Sequence, residues 1–142
     1  MLHHSLTKDG ETVSWGAIER YHRETMGWRD IGYHAGVEVT GFATLGRYAN
    51  QALYGRSVNS PAAACKEGNM NSLALHVCIV GNFDLVPPSS GILEVLKRRI
   101  LLPWMDQFGI TADRIVGHRD YATYKSCPGT KFDIDVVRRM VT

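Results

Sequence analysis

The chain has 142 residues, 44% hydrophobic and 21% charged, with 16 lysines and arginines against 14 acidic residues and a formal net charge of +2. This length suits one domain spanning residues 1–142, in which roughly two thirds of the surface exposed by the unfolded chain is buried on folding. The composition is that of an ordinary globular domain, far from the disordered, fibrous or membrane classes. The charge is too small, and too interleaved in sign, to select a polyanion, which argues against nucleic acid as a partner.

No apolar run is long enough to span a bilayer, and MLHHSLTKDGE lacks the charged and apolar regions of a signal peptide; together these predict cytoplasmic synthesis. Cys65, Cys78 and Cys127 cannot all pair with one another, which argues against a secreted disulfide scaffold. At least one thiol needs another explanation.

In chain order, SWGAIERYHRETM (14–26) places Trp15, Ile18, Tyr21 and Thr25/Met26 at spacings of three to four, with Ser14 as a cap and Gly27 as a stop, and predicts an amphipathic helix. IGYHAGVEVT (31–40) alternates Val37 and Val39 as a strand does, and the glycine-broken run that follows, up to Arg56, has room for another strand. Residues 55–71 are turn formers. LALHVCIV (73–80) is apolar at nearly every position and reads as a strand covered on both faces. After Pro87-Pro88-Ser89, the positions of Ile92, Leu93, Val95, Leu96, Ile100 and Leu101 predict the longest helix, kinked or restarted at Pro103. A short strand is predicted at 114–116, and a final helix, capped by Asp133, at 133–140. Strands and helices alternate without repeats, so the expected fold class is α/β: a single domain with a central mixed sheet flanked by helices.

The late loop GHRDYATYKSCPG (117–129) carries the chemistry. Zinc takes imidazole nitrogens and thiolate sulfurs in a tetrahedral shell, and a catalytic site keeps three protein ligands and one open position. His118 and Cys127 suit two of the three, although the pair alone is equally well read as a surface histidine and an incidental thiol. For a third ligand, His22 reads as a surface or packing residue on a helix and His76 as a hydrogen-bonded core histidine. The His3-His4 pair and His34 remain, and in an extended segment only one of His3 and His4 faces a shared site.

Several elements, in order, resemble the zinc-dependent N-acetylmuramoyl-L-alanine amidases of the type 2 class, which include phage enzymes and are similar to peptidoglycan recognition proteins. They are His3-His4-Ser5, GWRDIGYH (27–34), Gly55-Arg56, GNMNS (68–72), VGNFD (80–84), GHRD (117–120) and SCPG (126–129). The resemblance covers almost the whole chain. It implies that His3 completes a zinc site with His118 and Cys127, that Tyr33 and Lys125 line the catalytic site, and that zinc sits at the floor of a groove on a mixed sheet.

It also implies a monomer whose substrate is peptidoglycan or a muropeptide, cut at the amide joining N-acetylmuramic acid to L-alanine. Two roles fit that substrate: an endolysin made in the cytoplasm that acts on the cell wall after release, and a cytosolic recycling enzyme that acts on soluble fragments. One thiolate and two neutral imidazoles leave a zinc centre at +1, able to polarise a carbonyl and acidify water. Tyr33 or Lys125 would stabilise the oxyanion or protonate the departing amine. Two other readings compete: a module that binds muropeptides without cutting them, and a thiol hydrolase using Cys127 with His118.

Two features depart from the family pattern. Only Met1-Leu2 precede His3, so the proposed ligand is expected on a fraying end. Cys65 stands where many relatives carry a groove-lining histidine, as a substrate contact, a soft metal ligand or a tolerated change. Cys78 reads as a small core residue, and Asp120 and Asp133 read as loop or capping carboxylates.

Overall fold

A computed structural model describes residues 1–7, 14–40 and 49–142; the side chain of Thr40 and residues 41–48, the first part of the glycine-broken run, lie outside the description. Among the described residues, β1 (Leu2–His4), β2 (Ala35–Thr40), β3 (Ala49–Tyr54) and β4 (Val77–Ile79) form one mixed sheet in the order β1-β4-β2-β3. β4 runs parallel to both of its neighbours, and β2 and β3 are antiparallel. The sheet and its flanking helices are the α/β arrangement expected from the sequence.

The period-two alternation of strands divides the core. Leu2, Val37, Val77 and Ile79 face a layer of helices and pack with Phe83, Leu96, Ile100, Trp104, Phe132 and Val137. Cys78 faces the other way, with Trp15 and Ile31 against it. Each fully buried aliphatic side chain contributes about 1.5–3 kcal/mol relative to exposure. Close packing on the Trp15 side demands a glycine at 36, where a Cβ would lie 2.2 Å from the Trp15 ring.

α1 (Trp15–Arg20) begins where the Ser14 hydroxyl accepts the Ala17 N–H, as its sequence predicts. It widens into a π-helical turn over Tyr21–Thr25, and Gly27 ends it at φ +70. After a 3-10 turn at Glu67–Asn69, α2 (Met70–Leu73) occupies the first residue of the predicted strand 73–80. Leu73 is 71% exposed there, and only Val77–Ile79 pair as a strand.

The long helix is α3 (Ser90–Val95), a π-helical stretch (Leu96–Leu101) and α4 (Leu102–Phe108), with Pro103 in the first turn of α4. Proline cannot donate, and the hydrogen bonds slip by one residue just before it, with Leu102 N–H reaching the Lys97 carbonyl. The predicted strand at 114–116 is absent. A 3-10 turn (Ala112–Arg114) takes its place, leaving a single bridge between Leu2 and Gly117. α5 (Ile134–Met140) is capped by Asp133, whose carboxylate accepts the Asp135 N–H.

The start of the chain does not fray. Met1 and Leu2 are 8% and 1% exposed, Leu2 N–H donates to the Val116 carbonyl at 2.8 Å, and Val77 N–H donates to the Met1 carbonyl at 3.0 Å. Pairing on both sides of Leu2 overrides the usual looseness of a terminus.

Histidines are built into this interior: His3, His4, His34 and His76 are at most 6% exposed. All six histidines, these four with His22 and His118, have pKa values pushed below the ordinary 6.5, in each case chiefly by burial. His76 is pushed down to about 4. A histidine held neutral in the fold takes up a proton more readily when unfolded, so stability is intact above pH 6.5 and falls as pH drops below it. For His76 alone the loss approaches about 3 kcal/mol by pH 4. Denaturant titration of the metal-free chain between pH 7.5 and 4.5 should show stability falling steadily below pH 6.5; a flat profile would contradict neutral burial.

Candidate metal centre

β1 alternates its side chains across the sheet, so His3 and His4 part company. The His3 ring lies 5.4 Å from Tyr33, 5.1 Å from His76 and 4.8 Å from His118, centre to centre. His4 faces the helical layer, stacks near Phe83, and accepts the Phe83 N–H on Nδ1 at 3.1 Å.

The second part of the site comes from the loop between His118 and Gly129. Its stiffness has identifiable causes. Arg119 donates to the carbonyls of Gly129 (2.5 Å) and Phe132 (2.8 Å), and its own N–H donates to the Cys127 carbonyl at 2.8 Å. Asp84, beyond β4, accepts the Ser126 hydroxyl at 3.0 Å and the Thr130 N–H at 2.8 Å. Gly129 sits at φ +129 with room only for hydrogen: a Cβ would lie 2.5 Å from the backbone of Phe83. Neither Asp84 nor Arg119 had a role in the sequence reading, though both lie in quoted motifs. Asp120 accepts the Gly117 N–H at 2.8 Å, as a loop carboxylate does.

One ligand atom each from His3, His118 and Cys127 lies within 4.8 Å of the others. His3 Nδ1 and Cys127 Sγ are 3.7 Å apart. Ordinary tetrahedral zinc bonds to nitrogen and sulfur set those atoms about 3.6 Å apart, so donor set and spacing both fit the ion. Burial, then the proximity of His76 and His118, lowers the His3 pKa well below 6.5, and its ring is a neutral donor at neutral pH. Burial pushes the Cys127 thiol up to about 11, against the pull of the His4 N–H, 3.3 Å from Sγ, and of Lys125 and Arg119.

Tyr33 leans over this cluster. Burial, then the nearby thiols Cys78 and Cys127, raises its pKa well above 10, so the phenol keeps its proton and is a donor rather than a base. Lys125 is exposed, with Nζ 5.7 Å from the centre of the Tyr124 ring. Its charge lowers the pKa values of both Cys127 and His118.

His34 is not among these three ligands. Nε2 meets the Ser60 carbonyl at 2.7 Å, and Nδ1 accepts the His76 N–H at 3.0 Å. His22 accepts the Gly32 N–H at 3.0 Å and packs 4.7 Å from Trp28. The sequence reading of His76 as a hydrogen-bonded core residue missed its partner: Nδ1 lies 2.8 Å from His3 Nε2, and Nε2 lies 2.8 Å from the Met70 carbonyl. Sequence spacing gives no sign of that contact, because it depends on β1 lying beside β4.

Cys65, Glu67 and His118 form a second trio within 4.8 Å. Cys65 is 2% exposed, its thiol 3.5 Å from a Glu67 carboxylate whose other oxygen takes the Tyr124 hydroxyl. Cys65 and Glu67 are already engaged with each other and with Tyr124, whereas the first trio offers two imidazoles and a thiol.

Comparison with known proteins agrees with this architecture. The sequence profile described as N-acetylmuramoyl-L-alanine amidase matches residues 1–130, while no curated protein matches in sequence. The endolysin N-acetylmuramoyl-L-alanine amidase LysCS from Clostridium intestinale superposes with a TM-score of 0.76 at 19% identity, over 99% of this chain and 80% of that one. Drosophila peptidoglycan recognition protein SD superposes at 0.71 and 21% identity, over 95% and 76%. The complex of peptidoglycan recognition proteins LCa and LCx with tracheal cytotoxin superposes at 0.71 and 19% identity, over 97% and 78%. At such identities the structural likeness establishes the fold, a mixed sheet with flanking helices. The match over residues 1–130 establishes the rest: the chain belongs to the N-acetylmuramoyl-L-alanine amidase family.

Proposed function

We propose that this chain is a zinc-dependent amidase that hydrolyses the amide between N-acetylmuramic acid and L-alanine in peptidoglycan or muropeptides. The observation that carries the reading is the convergence of His3, His118 and Cys127, two imidazoles and a thiol from opposite ends of the chain, with ligand atoms within 4.8 Å. Zinc held there would supply Lewis acidity, polarising the scissile carbonyl and acidifying water.

The chain's own residues supply the rest. As water adds to the amide carbon, negative charge grows on the carbonyl oxygen, and the exposed Lys125 ammonium, on the loop that carries Cys127, is the cation to meet it. When the carbon–nitrogen bond breaks, alanine departs through its nitrogen, the lactyl acyl group remains as a carboxylate, and the nitrogen needs a proton, made good by one that the attacking water sheds. Tyr33, protonated throughout the neutral range by its raised pKa, is a donor for that nitrogen. Tyr33→Phe or Lys125→Ala should lower kcat by about 100- to 1000-fold while leaving bound zinc unchanged.

A second reading, binding of muropeptides without cleavage, is favoured by the recognition proteins among the structural neighbours, one of which carries tracheal cytotoxin. Defined muropeptides incubated with the chain, with and without chelator and added zinc, separate the readings by mass spectrometry of the new ends. The amidase reading requires chelator-sensitive appearance of the free lactyl carboxylate and free L-alanine amine. Binding without new ends would favour recognition, and cleavage after complete zinc removal would favour a Cys127 thiol hydrolase.

Zinc uptake should also release protons with a definite stoichiometry. At pH 7 the metal-free Cys127 thiol, at about 11, is protonated, whereas His3 and His118, pushed below 6.5, are mostly neutral. Binding then expels about one proton, and apparent affinity rises about tenfold per pH unit between pH 7 and 9. Calorimetry in buffers of different ionisation enthalpy measures this directly; release of no proton would mean that the thiol is not a ligand.

A further inference from the structure

We infer that His76 is a positioning residue for the metal centre: through its hydrogen bond to His3 it keeps the proton of that ring on Nε2 and leaves Nδ1 free, facing Cys127. The inference deepens the metal-centre reading above and rests on it, but it concerns hydrogen bonds already formed in the metal-free chain.

The assignment follows from one group whose role cannot change. A carbonyl oxygen only accepts, so the proton in the 2.8 Å contact between the Met70 carbonyl and His76 Nε2 belongs to the ring. His76 is 0% exposed, and its ring partners are a backbone carbonyl and another imidazole, with no carboxylate to favour a second proton. Its Nδ1 therefore carries a lone pair. His3 Nε2, 2.8 Å from that lone pair, must be the donor. A neutral ring protonated on Nε2 has its lone pair on Nδ1, the atom 3.7 Å from Cys127 Sγ.

A second hydrogen-bonded chain holds the backbone at His76. Its N–H donates to His34 Nδ1 at 3.0 Å, which puts the His34 proton on Nε2, where it meets the Ser60 carbonyl at 2.7 Å. Three buried imidazoles thus have mutually consistent tautomers: those of His34 and His76 are set by backbone groups, and that of His3 by His76. Metal-bound histidines commonly use a carboxylate as such a partner. A neutral imidazole accepts the same N–H, through a weaker bond than a carboxylate makes, and adds no negative charge, so a zinc ion held with one thiolate would keep its net +1.

The test combines spectroscopy with metal affinity. In the metal-free wild-type chain labelled with nitrogen-15 histidine, the inference predicts a proton on His3 Nε2 and a through-hydrogen-bond nitrogen–nitrogen coupling to His76 Nδ1. A proton on His3 Nδ1, or no coupling, overturns it. His76→Met removes both polar atoms at similar volume and should weaken zinc binding, measured by chelator competition, by about 10- to 100-fold. His76→Gln, which can accept and donate at once, should recover most of that loss. Wild-type affinity in the methionine variant overturns the inference, as does equal weakening in both, which would mark packing rather than hydrogen bonding. Should the methionine variant not fold, the wild-type spectrum decides. A wild-type chain that shows the coupling but takes up no zinc would instead overturn the metal-centre reading.

Discussion

The seating of a three-residue strand governs the rest of the structure. β1 lies between β4 and the residues just before His118, with Leu2 bonded to Val116 on one side and paired with Val77 on the other. That register puts His3 opposite Cys78 and turns its ring toward Tyr33, His76 and His118. Shifting it by one residue would exchange His3 with His4 and send the wrong imidazole to the site. The burial of Leu2 resists that slip, because Leu2 would have to leave the helical layer.

The loop that carries Cys127 has fastenings of its own. Arg119 and Asp84 fasten the loop around Cys127 from two sides, and Lys131 N–H adds a bond to the Phe83 carbonyl at 2.8 Å. The His4 backbone N–H reaches Cys127 Sγ, so β1 supports the thiol as well as supplying its partner. The candidate ligands at residues 3, 118 and 127 are thereby tied by hydrogen bonds to the core they adjoin. The histidines that give the site order carry an acid cost, since each is buried neutral.

Elements with long periodic patterns were legible from sequence: the capped start at Ser14, the helix after Ser89 and the final helix behind Asp133. Short elements were less so. The apolar run 73–80 hides a change from helix to strand, because Leu73 and Val77 look alike in sequence while one is exposed and the other buried. At 114–116 a lone bridge replaces the expected strand. Of the site, the imidazole and thiol of the late loop could be read from donor chemistry, and His3 from family resemblance. The contact between residues 3 and 76 could not, since parallel pairing of distant segments leaves no local signature. Asp84 and Arg119 were similarly silent, as their bonds go to backbone groups of distant residues and, for Asp84, also to the Ser126 hydroxyl.

The central claim is that both ends of the chain meet on a single ion, and zinc-edge X-ray absorption of the zinc-loaded chain tests it most directly. The account predicts one sulfur at about 2.3 Å and two imidazole nitrogens at about 2.0–2.1 Å, with a further light atom completing the shell. A shell without sulfur, or one made only of oxygens, would contradict it.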